Sequence, residues 1–150
     1  MNLLELMLKE EVEWPVRAEF SAQNKNNSCV YFYSVAPKKS ELSDKYWITK
    51  GVSHMGSKML SCLCRDWSTR IITREEYQAA GGWMKWDGGG RSFESTSRVC
   101  VKFRGDTDRS ASGIAYEYIW SNTGSDSDII AYRIINQRPV QLDNPEIESD

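Results

Sequence analysis

The stretch SRVCVKFR, residues 97–104, decides the fold class because its side chains alternate in character. Valine or phenylalanine occupies its odd positions from 99 to 103, whereas Cys100, Lys102 and Arg104 occupy even positions. A period of two residues is that of a β-strand with one buried and one partly exposed face. Strands of this kind are typical of antiparallel sheets, so the stretch predicts an antiparallel sheet.

The residues that follow this strand predict two more strands. GDTDRSASG, residues 105–113, is rich in glycine, aspartate and serine and is interpreted as a turn. β-Branched and aromatic residues then predict a returning strand over 114–120 and a last strand over 129–135. The polar residues 121–128 are interpreted as the loop between these two strands.

Four segments nearer the N-terminus also predict strands. The most apolar of them is CVYFYSV, residues 29–35, in which β-branched and aromatic side chains predominate. The other three cover residues 16–22, 46–49 and 59–67. Residues 50–58 contain two glycines and no clear period, and they are interpreted as a loop.

Two helices interrupt these strands. The leucine-rich residues 2–11 predict a short amphipathic helix with Asn2 as its N-cap. Thr73 and Glu76 have the spacing of a capping box, and Gly81 then stops the second helix. The predicted class is therefore α+β, as a mostly antiparallel β-sheet or a small barrel with an N-terminal helix and one central helix.

The 150 residues are enough for one self-sufficient core, and we expect a single compact domain over 1–138. The pattern Cys-Val-x-Phe occurs twice, which suggests two similar halves at 12–80 and 81–138. Residues 139–150 are acidic and contain no basic residue, so they predict a flexible tail.

Charge and hydropathy exclude several classes of protein. The net charge of −2 disfavours binding of nucleic acid by bulk electrostatics. The longest apolar-rich run, NLLELMLKEEVEW at residues 2–14, is interrupted by acidic and basic residues and predicts neither a membrane span nor a signal peptide. We therefore expect a cytoplasmic protein without a membrane partner.

The sequence predicts no catalytic residue, no metal site and no cofactor. His54 is the only histidine, and no nucleophile motif accompanies it. Cys62 and Cys64 are separated by one residue, whereas the paired cysteines of structural zinc sites are separated by at least two. We expect four free thiols, because disulfides are rare in a reducing compartment.

GGWMKWDGGG, residues 81–90, sets two tryptophans between glycine-rich breaks and leaves two interpretations open. In the first, Trp83 and Trp86 point to opposite faces of a strand-like segment, one ring in the core and the other over the sheet edge. In the second, one ring is exposed beside Lys85 and Arg91 and stacks on a base, a nucleotide or a side chain of a partner.

Other aromatic and basic residues extend the predicted binding surface. RDWSTR, residues 65–70, places a tryptophan between arginines, either as a buried indole among surface ion pairs or as a binding site. The predicted binding residues are Trp67, Arg70, Trp83, Lys85, Trp86, Arg91, Arg98, Lys102, Arg104 and Trp120.

Several segments together resemble a group of phage proteins. They are EWP, VYFY, DWSTRIITREEYQAA, WMKW, VCVKFRGDTD and a tryptophan followed by a polar loop and DIIAYR. This combination resembles small accessory proteins that tailed bacteriophages and prophages of enteric bacteria encode. The resemblance implies expression in the cytoplasm of an infected bacterium, where such proteins often bind and disable a host factor, for example in defence, or sequester a signal molecule.

The expected function is therefore non-enzymatic binding of a host protein, because aromatic and arginine anchors dominate such interfaces. One alternative is a binder that sequesters a small ligand or nucleotide. Another is a binder of single-stranded nucleic acid, which the negative net charge disfavours.

Overall fold

The computed structural model describes residues 1–40, 47–49, 54–89 and 93–135. The chain divides into two compact units, Met1–Lys85 and Trp86–Asp150. Strands predominate over two short α-helices, which confirms the α+β class. The described strands form open sheets and close no barrel. The predicted tail, residues 139–150, lies outside the described residues, and the single domain stays a prediction.

The strands of the first unit are β1 (Glu13–Trp14), β2 (Phe20–Gln23), β3 (Cys29–Tyr33), β4 (Lys38–Lys39), β5 (Trp47–Ile48), β6 (Gly56–Met59), β7 (Ile72–Thr73) and β8 (Trp83–Lys85). Those of the second unit are β9 (Arg98–Phe103), β10 (Asp106–Ile114) and β11 (Ile129–Ile134).

Both predicted helices are confirmed, and each begins with a capping box. Helix α1 (Leu3–Lys9) starts after Asn2, whose side chain accepts the backbone N–H of Glu5 at 2.8 Å. Helix α2 (Arg74–Ala79) starts after Thr73, whose hydroxyl accepts the backbone N–H of Glu76 at 3.2 Å. Neither described helix has the length and apolar character that a crossing of the bilayer requires.

The two helices also end in the same way. Glu11 after α1 and Gly81 after α2 both have left-handed backbone angles, with φ of 53° and 87°. In each case the following amide N–H donates to the carbonyl five residues before it, at 3.1 Å after α1 and 2.9 Å after α2. This is the Schellman arrangement, which satisfies helix-end carbonyls. Each helix then leads into a strand, and the two strands, β1 and β8, pair in parallel.

The main sheet of the first unit is antiparallel, in the strand order β6-β3-β2-β7. Side chains alternate along β3, so that Val30 and Phe32 face one side, and Tyr31 and Tyr33 the other. Phe32 lies in the core, with its ring centroid 5.0 Å from that of Trp14. The two tyrosines belong to a separate face, to which β4 and β5 contribute as a two-stranded pair.

In the second unit, β9 lies between β10 and β11 and pairs antiparallel with both. An aromatic cluster, which consists of Trp86, Phe93, Trp120 and Tyr132, packs in edge-on and tilted pairs with centroids 4.9 to 5.8 Å apart. The strand predictions over 97–104 and 129–135 are thereby confirmed.

Two strand predictions are wrong. The strand predicted over 59–67 lies earlier, at Gly56–Met59, and all of its residues but Met59 fall in the predicted loop. Residues 61–62 and 65–69 form bends and turns instead. At residues 62 and 64 the side chain of Gln23 takes hydrogen bonds that a neighbouring strand would otherwise take. Its amide donates to the Cys62 carbonyl at 2.8 Å and accepts the Cys64 N–H at 2.9 Å.

The second error concerns the hairpin after β9. The residues predicted as its turn, 105–113, lie almost wholly in β10, whose polar side chains are mostly exposed. The returning strand predicted over 114–120 is replaced after Ile114 by a 3₁₀ turn, Ala115–Glu117. A strand that faces water accommodates the serine and aspartate residues that also favour turns.

Candidate functional site

The two tryptophans between the glycine-rich breaks are both buried. Trp83 is 7% exposed and Trp86 is 9% exposed, so neither presents an open face for stacking. Trp86 belongs to the aromatic cluster, and its Nε1 donates to the carbonyl of Trp120 at 2.7 Å. This burial agrees with the structural interpretation of the pair and does not fit the interpretation with an exposed ring.

The predicted basic residues have different surroundings in the described part of the chain. Arg104 pairs with the buried carboxylate of Asp128 at 3.3 Å. Arg98 is exposed, Lys102 is half-buried, and Arg91 lies outside the described residues. The assignment of these basic residues to binding stays a prediction.

The RDWSTR stretch has structural contacts. Arg70 Nη2 lies 2.6 Å from Glu76 Oε2, and this hydrogen bond holds the pKa of the Glu76 carboxyl below its usual range. The carbonyl of Trp67 accepts the indole N–H of Trp47 at 3.2 Å. The Lys39 ammonium lies 4.5 Å from the Trp67 ring centroid. Trp67 is half-buried, and its backbone carbonyl, not its indole N–H, makes the hydrogen bond described here. The choice between a buried indole and a binding site stays open, and the assignment of Trp67 and Arg70 to binding stays a prediction.

Lys85, one of the predicted binding residues, lines a concave surface. The edge groove is a cavity of about 380 Å³ in the first unit, beside β6. Its lining residues are Glu10, Glu11, Val12, Glu13, Pro15, Phe32, Met55, Gly56, Ser57, Lys58 and Lys85.

One wall of the edge groove is the sheet edge itself. β6 is the terminal strand of its sheet, and no described strand pairs with its outer side. Leu60 donates its N–H to the Ser28 carbonyl at 3.3 Å. This bond shows which residues of β6 direct their backbone groups towards β3, because bonded and non-bonded residues alternate along an antiparallel pair. In an antiparallel pair the residues between the bonded ones turn their backbone groups outward, here Ser57 and Met59. Four unpaired backbone groups, an N–H and a C=O from each residue, therefore point away from the sheet.

The side chains at this edge are open to solvent. Met59 is 67% exposed and Met55 is 38% exposed, both high for methionine. The other wall of the groove is acidic: it carries Glu10, Glu11 and Glu13, against two lysines in the lining. Glu10 is held by the backbone N–H of Ser61, at 3.1 and 3.2 Å from its two carboxylate oxygens.

The sequence did not reveal this site, because its strand was assigned to a loop. The residues GSKM of β6 lack the β-branched and aromatic side chains that predict strands. They pair because β3 offers a complementary backbone edge. The exposed methionines Met55 and Met59 were the available signal, since apolar side chains in a polar segment indicate packing or contact.

The described residues contain no group of three or more histidine, cysteine or acidic side chains placed to hold a metal ion. All four cysteines are free thiols: Cys62 is exposed, whereas Cys64 and Cys100 are buried. Burial raises the pKa of the Cys64 thiol to about 11, and the neighbouring Asp66 carboxylate adds to this effect. A thiol with a raised pKa is a poor nucleophile near neutral pH.

No family model, curated protein or solved structure matches this chain. The geometry of the chain itself is therefore the basis for a functional assignment.

Proposed function

We propose that this chain is a non-catalytic binding protein whose edge groove accepts an extended segment of a partner protein as an additional strand along β6. The observation that carries the proposal is the outer edge of β6, where the backbone groups of Ser57 and Met59 point outward beside a groove. Peptides commonly bind in this way: main-chain hydrogen bonds supply affinity and side-chain pockets supply specificity.

An open edge of this kind is unusual in a protein that does not use it. Natural sheets protect their edges with charged side chains, proline or bulges, because a free edge pairs with other chains. Lys58 is the single charge on β6, and Met59 beside it is 67% exposed. An apolar side chain of the added strand would cover Met59, which would remove apolar surface from water.

The charges of the groove favour a partner segment with a basic residue. The described residues that line the groove include three glutamates and two lysines, so together they carry a net formal charge of −1. Glu11 is exposed and stands at the end of α1, where a cation from the added strand would approach it. Charge complementarity of this kind mainly sets specificity and the rate of association.

The biological context follows from the phage resemblance. A phage or prophage accessory protein acts in the cytoplasm of the infected bacterium, so the proposed partner is a host protein, for example a component of defence. A short strand-addition site suits an inhibitor, because it needs only an extended or disordered segment of the target.

Photo-crosslinking tests the proposal directly. A benzophenone amino acid is placed at Met59 or, as a control in the second unit, at the 63% exposed Tyr116. The labelled proteins are irradiated in lysate of an enteric bacterium, and crosslinked proteins are identified by mass spectrometry. The expected result is one predominant host protein captured at Met59 and not at Tyr116.

A matched pair of variants tests the binding mode. Ser57→Pro removes an outward N–H without removing a hydrogen bond to β3, whereas Ser57→Ala keeps that N–H. Ser57→Pro is expected to abolish the crosslink and Ser57→Ala to retain it, with folding checked by circular dichroism. Equal capture at both crosslinker positions, or capture that a folded Ser57→Pro variant retains, contradicts strand addition.

A further inference from the structure

The sheet face opposite the core carries a second concave surface, which we call the aromatic pocket. It has a volume of about 360 Å³ and is lined by the rings of Tyr31, Tyr33, Trp47 and His54 together with Asn24 and two β5-region residues. This volume is at the lower end of the range for small-molecule sites. Aromatic side chains thus form most of its wall.

The walls of the aromatic pocket are held in place by hydrogen bonds. Trp47 is fixed at both ends, because its backbone N–H donates to Asn24 Oδ1 at 2.8 Å and its indole N–H donates to the Trp67 carbonyl at 3.2 Å. The Tyr31 hydroxyl accepts the side-chain amide of Asn27 at 2.9 Å. Rings that are already ordered lose little conformational entropy when a ligand binds.

His54 completes the wall. Its ring lies edge-on to that of Tyr31, with centroids 4.8 Å apart, and the residue is exposed. Among the described residues, the single histidine of the chain therefore lies against an aromatic ring.

Electrostatics select the class of ligand. Aromatic walls bind either cations, through the ring faces, or other planar rings, through stacking. No carboxylate is among the described residues that line the pocket, and the Lys39 ammonium lies 5.6 Å from the Trp47 ring centroid. A tyrosine phenol is uncharged near neutral pH, and burial raises the pKa of the Tyr33 phenol further, to about 12. A cationic ligand is thus disfavoured, and a neutral or anionic planar ring is favoured.

Asn24 supplies the polar recognition group. The residue is 8% exposed, and its Oδ1 accepts the Trp47 N–H. Its Nδ2 has no acceptor among the described residues and lies on a residue that lines the pocket. An amide N–H₂ in this position can donate to a ring nitrogen or carbonyl oxygen at the edge of a nucleobase.

We infer that the aromatic pocket binds the base of a mononucleotide, which stacks on the rings while Asn24 donates to the edge of the base. This inference does not depend on strand addition at β6, because the edge groove and the aromatic pocket have different lining residues. A base can come from a free nucleotide or from a single-stranded nucleic acid, and the volume of the pocket suits one nucleotide.

Isothermal titration calorimetry on the full chain tests the inference with four probes. Adenosine monophosphate and uridine monophosphate are expected to bind at one site with a Kd below about 1 mM. Ribose 5-phosphate, which lacks a base, and choline, which is a cation, are expected to show no saturable binding. The inference is overturned if neither nucleotide binds, if ribose 5-phosphate binds as tightly, or if choline binds in their place.

Variants locate the site. Tyr31→Leu is expected to weaken nucleotide binding roughly tenfold or more, as for loss of one stacking partner. His54→Ala, at an exposed position, is expected to weaken it severalfold while the fold is kept, and Tyr116→Ala in the second unit is the unchanged control. Unchanged affinity in folded His54→Ala overturns the assignment even if Tyr31→Leu fails to fold.

A single-stranded oligonucleotide of eight nucleotides distinguishes a free nucleotide from a nucleic acid as the source of the base. The inference predicts that this oligonucleotide binds with an affinity within tenfold of that of the mononucleotide, and that its affinity depends little on salt. A much higher affinity that falls steeply with salt indicates a nucleic-acid groove and overturns the mononucleotide assignment.

Discussion

Glu11 and Gly81 occupy equivalent positions: each is the left-handed residue that ends a helix of the first unit two residues before a parallel-paired strand. Glycine adopts this conformation without steric cost, whereas for a residue with a side chain the left-handed conformation costs about 1–2 kcal/mol. The same backbone motif is thus built once with the usual residue and once with a strained one. Glu11 also lines the edge groove, which gives a reason for a side chain at this position.

This equivalence predicts opposite effects of two substitutions. Glu11→Gly should raise the free energy of unfolding by about 0.5–1 kcal/mol, and Gly81→Ala should lower it by about 1 kcal/mol. Urea unfolding followed by circular dichroism measures both. Ala79→Gly, at an exposed helical position, is the control and should lower stability, since glycine is unfavourable there. A loss of stability in Glu11→Gly would mean that contacts of the glutamate outweigh its backbone strain.

Gly82 is predicted to tolerate no side chain. A Cβ at this position would lie 2.2 Å from Cε2 of Tyr77, a ring that is fully buried. Tyr77 cannot withdraw easily, because its hydroxyl donates to the carbonyl of Met7 at 3.1 Å. Gly82→Ala should therefore cost about 1–3 kcal/mol in urea unfolding. In Gly89→Ala the new Cβ meets only the exposed Asp87 carboxylate, at 3.3 Å, and the change should stay within about 0.5 kcal/mol. Equal effects of the two substitutions would refute a specific clash.

Trp86 is predicted to act through both its ring and its N–H. Trp86→Phe keeps an aromatic ring but leaves the Trp120 carbonyl without the 2.7 Å hydrogen bond, and it should cost about 1–3 kcal/mol. Trp86→Ala should cost about 3–5 kcal/mol, because it also leaves a cavity in the aromatic cluster. Thermal unfolding separates the two variants, with exposed Tyr116→Phe as the control. If Trp86→Ala folds as stably as the parent protein, the ring is not a core residue.

The features that the sequence predicted well are local in origin. Capping boxes at Asn2 and Thr73 depend on residues three positions apart, so the chain need not fold for them to be recognised. The strand at 98–103 alternates clearly, and it pairs on both sides. Hydrophobic period and capping chemistry were sufficient for these elements.

The features that the sequence missed depend on distant partners. The side chain of Gln23 hydrogen-bonds to the backbone of residues 62 and 64, some forty positions away, and no local sequence pattern predicts these hydrogen bonds. β6 is a strand only because β3 pairs with it, and the edge groove depends on that pairing. The aromatic pocket likewise assembles Asn24, Tyr31 and Trp47 from separate strands and turns. Neither candidate site could therefore be predicted from the spacing of residues in the sequence.

Asp128 is the organising residue of the polar loop before β11. Its carboxylate accepts the backbone N–H groups of Thr123 at 3.0 Å, Gly124 at 2.6 Å and Ser125 at 3.2 Å. The hydrogen bond from Thr123, then that from Gly124, lowers the pKa of the Asp128 carboxyl to about 2, assisted by Arg104 and opposed by burial. The ionised carboxylate is thus the form that holds the loop.

The lowered pKa predicts a specific acid sensitivity. Since the pKa is about 2 in the folded protein and 3.8 in the absence of these contacts, the unfolded chain binds the proton more readily. The stabilisation of the folded protein by the ionised Asp128 carboxylate is therefore complete above about pH 4, and it is lost as the pH falls through about 2. Asp128→Asn should be less stable than the parent protein at pH 7, and the difference should shrink between pH 4 and pH 2 when urea midpoints are compared. Asp126→Asn, at an exposed aspartate in the same loop whose carboxylate makes none of these hydrogen bonds to the loop backbone, is the control variant. A constant difference between the parent protein and Asp128→Asn across this range would show that the carboxylate charge does not hold the loop.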